Sequence, residues 1–91
     1  MPNSPIVADT LGWAYYKLGV PQSAIAALEE SVQKAPNNPT YEFHLGVAYL
    51  AAGRQVRAGQ LLQQVLRHKP DATLEASAKN ALVRISTAQP K

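Results

Sequence analysis

With 91 residues the chain has room for one domain and a core of modest size, since a chain this short buries only about two thirds of its unfolded surface. Apolar residues make up 46% of it, many of them alanine, which suits close-packed helices better than sheets of branched side chains. The absence of cysteine excludes disulfides and thiolate metal sites, no run nears the roughly 18 apolar residues of a membrane span, and the net charge of +3 is too dispersed for a nucleic-acid surface.

Five helices are expected. The first covers 5–18: Ser4 offers a capping side chain, Pro5 suits the first helical position, and Ala8, Leu11 and Tyr15 recur at spacings of three and four. Gly19 follows this run, where a positive φ ends a helix without steric cost. The second, over 21–35, turns Ala24, Ile25, Leu28 and Val32 inward and is stopped by Pro36. Asn38-Pro39 starts a third helix, over 39–52, as Ser4-Pro5 starts the first; Leu45 and Tyr49 are its core positions and Gly53 follows it. The fourth, over 55–68, buries Leu62, Val65 and Leu66 and ends before Pro70. The second and fourth lack a capping side chain, since Val20 and Arg54 stand there, which weakens each start by about 1 kcal/mol. A fifth, over 72–86, closes the domain with Glu75, Lys79 and Asn80 on a polar outer face, and 88–91 is a frayed tail.

Shifted by 34 residues, the sequence falls on itself: Leu11-Gly12 meets Leu45-Gly46, Tyr15 meets Tyr49, Gly19 meets Gly53, Ala24 meets Ala58, Leu28 meets Leu62 and Pro36 meets Pro70. Self-similarity at this period marks a stacked helix-turn-helix array. These residues resemble the tetratricopeptide repeat, whose pattern runs from a large apolar residue through Leu-Gly, Tyr, a turn Gly, Ala and an aromatic or Leu to a closing Pro. The resemblance covers residues 5–72. It implies an all-α fold, an α-solenoid of two repeats (5–38 and 39–72) with a capping helix at 73–87. Gly12, Gly46, Ala24 and Ala58 then set the close crossing of paired helices. The chain departs from the pattern at Val20 and Arg54, where the family favours a capping aspartate, and at Glu42, where a large apolar residue is usual; a looser outer end of the second repeat is expected there.

A narrower resemblance is carried by Ala8-Asp9-Thr10-Leu11-Gly12-Trp13 and Tyr41-Glu42-Phe43-His44-Leu45-Gly46. These runs look like the final repeats of large bacterial tetratricopeptide proteins, including ones associated with exopolysaccharide export and exosortase sorting. The chain also opens directly on repeat sequence with no basic-then-apolar leader, so it reads as a piece of a longer array.

Catalysis needs convergent groups of matched pKa, such as a nucleophile with a base or paired carboxylates. None is spaced for it here, so no enzyme and no cofactor are expected. His44 and His68 lie on different repeats with no acidic residue at a metal-ligand spacing, and read as surface or groove histidines. Glu29-Glu30 reads as solvated. The five glycines are isolated and form no phosphate-binding motif. Arg54, Arg57, Arg67, Lys69, Lys79 and Arg84 are spread over three segments away from the aromatics, which is a solvated face and implies no nucleic-acid partner.

The resemblance does imply a concave face built by the first helix of each repeat. Its positions fall on Ile6, Asp9, Trp13, Tyr16 and Lys17, and on Thr40, Phe43, Val47, Leu50 and Ala51. The set is largely apolar and aromatic, and it holds the only Trp and the only Phe, placed where they could touch. The expected function is a protein-interaction module that takes an apolar or amphipathic peptide or helix in this groove. The alternative is a terminal structural segment of a longer scaffold that mediates self-assembly, with a weak homodimer through the uncovered side of the first helix around Ile6. Family members grip C-terminal chaperone tails with Lys, Asn and Arg; Asp9, Trp13 and Val47 replace that clamp. No membrane insertion is expected.

Overall fold

The computed structural model describes residues 4–88. They form α1 (Pro5–Lys17), α2 (Pro21–Lys34), α3 (Pro39–Ala51), α4 (Gln55–Arg67) and α5 (Ala72–Ala88), with no strand among the described residues. Every expected helix is present and starts where expected, its C-terminal end displaced by a residue or two. Of the expected tail, Ala88 ends α5 and the remainder lies outside the described residues.

Local chemistry accounts for the boundaries. The Ser4 hydroxyl accepts from the Ile6 N–H at 3.2 Å and Asn38 Oδ1 accepts from the Tyr41 N–H at 3.1 Å, each satisfying a donor that the first turn leaves unpaired. Val20 and Arg54 provide no side-chain cap. The α5 start has one that the sequence reading passed over: Asp71 Oδ1 accepts from the Leu74 N–H at 2.8 Å. Gly19 and Gly53, both at φ 80°, turn the chain out of α1 and α3.

α1 packs on α2, and α3 on α4. A Cβ built on Gly12 would lie 2.5 Å from Leu28 Cγ, so the first pair crosses too closely for any side chain there. Gly46 serves the second pair, with Leu62 Cδ2 3.2 Å from the same virtual atom. The core runs through the stack: Leu28 of α2, Leu45, Ala48 and Tyr49 of α3, Leu62 and Val65 of α4, and Ala78, Ala81 and Ile85 of α5. Tyr15, Val32 and Leu66 are partly buried against it. The stack is elongated, 45 × 28 × 18 Å.

Two positions depart from the sequence expectations. Leu11, expected in the core, is 50% exposed, whereas Leu45 at the same repeat position is 2% exposed. α2 packs against α3, but no described helix covers the outer side of α1, where Ile6, Val7 and Leu18 are also exposed. Glu42, expected to loosen the second repeat, is 2% exposed and hydrogen-bonds to His68 Nδ1 at 2.7 Å. The end of α4 thus supplies the polar partner that a buried carboxylate requires. α5 keeps Glu75, Lys79 and Asn80 exposed, as expected, and takes the place of a third repeat's first helix with its register moved by one residue. Ala78 and Ala81 fill the places of Leu45 and Ala48 one residue short of the repeat offset, which leaves Lys79 and Asn80 exposed.

Candidate protein-binding face

The first helices α1 and α3 lie side by side with α5 beyond them, and the residues expected on the concave face are distributed along this surface. Ile6 and Thr40 are exposed in the first turns of α1 and α3. Midway along, Asp9 Oδ1 meets His44 Nδ1 at 2.7 Å, a hydrogen bond that ties α1 to α3. His44 stacks on Trp13 with ring centroids 4.0 Å apart, and Trp13 stacks on Tyr16 at 4.7 Å. The Lys17 ammonium stands 5.8 Å from the centre of the Trp13 ring, within cation–π range. One aromatic stack, Tyr16-Trp13-His44, therefore spans the two helices.

Trp13 and Phe43 were placed to touch by the repeat geometry. His44 takes the position beside Trp13, while Phe43 meets His44 at 6.3 Å and packs toward the core. His44 is read from the sequence as a surface or groove histidine, and its contacts with Trp13 and Asp9 are what sequence reasoning missed here. It lies one position beyond Phe43 in the repeat, and only its partner Asp9, on another helix, gives it away.

At the C-terminal ends of α1 and α3 the face opens into a hollow of about 310 Å³. Tyr16, Val47, Leu50 and Ala51 form part of its lining, as expected positions, but Gln55, Arg84 and Ile85 also line it. The last two were missed because α5 was read only as a cap. By standing where a third repeat's first helix would stand, it lends its own side to the face; the spacing of Ala78, Ala81 and Ile85 was the available signal. Val47 is 8% exposed and so belongs more to the floor than to the rim.

Behind this face, Tyr49 donates its hydroxyl proton to Glu29 of the preceding repeat, so Glu29 is not merely solvated. Burial raises the Tyr49 pKa above the ordinary 10.0, the bond to Glu29 adds to the rise, and Arg57 opposes it. Among the described residues, no group of three or more His, Asp or Glu is arranged to hold a metal ion, and no helix is long and apolar enough to cross a membrane.

Comparison with curated proteins finds no match to the chain. The tetratricopeptide repeat model matches residues 10–73, most of both helix pairs and the turn into α5. With the repeat offset, the close crossings at Gly12 and Gly46 and the stacked hairpins, this match establishes that the chain belongs to the tetratricopeptide repeat family.

Proposed function

We propose that this protein-interaction module binds an apolar or amphipathic segment of a partner protein on the concave face of α1, α3 and α5. Family membership supports protein interaction in general. The observation that carries the finer reading is the hollow at Tyr16, Val47, Leu50 and Ile85, a partly apolar recess edged by Gln55 and Arg84 beside an ordered aromatic stack. Aromatic and aliphatic side chains held in place by neighbours make anchor pockets, because they offer contact area at little entropic cost. Asp9 is occupied by His44, so the stack is fixed before a ligand arrives.

The test uses phage-displayed random peptides selected on the wild-type chain and titrated as labelled synthetic peptides. Val47 is too buried for a clean probe, whereas Ala51 is exposed and lines the hollow. Ala51→Gln fills the hollow with a neutral polar chain that helices tolerate. Selected peptides are expected to carry a large apolar residue and to bind Ala51→Gln about tenfold more weakly. The same change at Ala26, exposed on α2, is expected to leave binding intact. Equal binding by wild type and Ala51→Gln would move the interaction off this face.

A second reading, self-assembly, is favoured by one observation: the bare apolar side of α1 at Val7, Leu11 and Leu18.

A further inference from the structure

The hollow on the concave face is continuous in its lining with a second, larger cleft. Gln55 and Ile85 border both, and the second, of about 710 Å³, runs between α4 and α5 past Gln60, Gln64, Arg57, Arg67 and Leu82. No carboxylate lines either space, whereas Arg57 and Arg67 line the cleft. Arg57 lies over the Tyr49 ring at 5.7 Å and donates to Gln60 at 3.4 Å. Arg67, exposed in the last turn of α4, has no carboxylate partner among the described residues.

Charge of one sign along a concave, partly apolar surface concentrates ligands of the opposite sign and repels the rest. Glutamine amides carry both donors and acceptors, which match the alternating N–H and C=O groups of an extended peptide. A single-stranded nucleic acid would call for stacking aromatics along the arginines, and Tyr16, at the other end of the surface, is the one aromatic in either lining.

We propose that the partner segment is an acidic peptide with an apolar anchor: the anchor sits in the hollow between α1, α3 and α5, and the flanking carboxylates lie along the α4–α5 cleft against Arg57 and Arg67. The anchor half of this geometry rests on the concave-face reading above, while the acidic half stands on the charge of the cleft.

The same peptide selection tests it, with Arg67→Glu and Arg67→Lys added and with labelled decauridylate as a second probe. Selected peptides are expected to be enriched in Asp and Glu beside the apolar residue. Arg67→Glu is expected to weaken them roughly tenfold at low salt, with the difference shrinking at about 0.5 M salt, and Arg67→Lys to retain most of the affinity. Peptides without acidic enrichment, or indifferent to Arg67→Glu, overturn the proposal; their sensitivity to Ala51→Gln would still leave the concave reading standing. Weakening by Arg67→Glu without any effect of Ala51→Gln overturns the anchored geometry and the concave reading together. Decauridylate that binds more tightly than the peptides and is lost in Arg67→Glu assigns the cleft to nucleic acid. Sedimentation showing self-association that Arg67→Glu abolishes assigns it to a second copy. Either result sinks the proposal.

Discussion

Burial and a carboxylate act together on Tyr49. Its phenol donates to Glu29 across the junction of the two repeats, and its raised pKa means that the folded chain holds the proton more tightly than the unfolded chain does. This contribution is fully present below the unfolded tyrosine pKa of about 10 and is lost as the pH rises through the higher folded value. Tyr49→Phe should therefore cost about 1–2 kcal/mol near neutral pH, where the bond to a charged acceptor is lost but half-buried Glu29 can still find water. It should also flatten the loss of stability above about pH 10. Thermal melts of both proteins across the alkaline range check this, and a parallel absorbance titration should lose its latest tyrosinate step in the variant. Superimposable alkaline limbs would show that the bond does not hold the proton. At this scale the sequence was only half legible. Gly12 and Gly46 announced the close crossings, but Glu42-His68, Asp9-His44 and Tyr49-Glu29 join residues far apart in the chain, and no periodicity connects them.

The helices themselves were legible because their ends are local events. Proline at the first position, a capping oxygen before it and a glycine at positive φ after it act over a few residues, whatever the rest of the chain does. α5 turns Glu75, Lys79 and Asn80 outward as expected, though its inward register was not legible. The repeat offset put Lys79-Asn80 where a third Leu-Gly would fall, but the helix turns Ala78, Ala81 and Ile85 inward, because alanine lets it approach α4 and a lysine would not. Its polar outer side then meets solvent, with Lys79 paired to Glu75 at 3.2 Å. Two repeats fall short of the roughly three that such stacks need to stand alone. Removing residues 73–91 should thus expose the α5-facing side of the core, lower the thermal midpoint and cause aggregation. A truncated chain that sediments as a monomer with an unchanged midpoint would show that α5 is no cap.

For the molecule as a whole, the two ends of the stack are unlike. The α5 end is mixed, with Glu75, Lys79 and Asn80 exposed beside Val83, while the α1 end leaves Val7, Leu11 and Leu18 exposed together, with Leu18 at 75%. Leu45 shows what such a face looks like when covered, since the same repeat position is there buried against α2. Weak, salt-insensitive self-association through α1 at high concentration is the expected consequence. Sedimentation equilibrium of wild type against Leu11→Ser with Leu18→Ser tests it: the association should weaken in the double variant, at little cost to thermal stability because neither side chain is core. A strict monomer at about millimolar concentration would rule out the self-assembly reading.

The sequence by itself determined the helices, their pairing and their period, because caps, breakers and small residues at crossing points act locally and recur at one offset. The tertiary structure alone decided which equal positions are equal in fact. Leu11 and Leu45 are one residue in the repeat and two different environments in the stack, since burial depends on which helix lies alongside. It likewise decided that Arg84 and Ile85 of α5 line one hollow with Tyr16, Val47 and Leu50, because a side chain's neighbours across a helix interface follow from rotation of the whole helix, which a shift of one residue changes by about 100°.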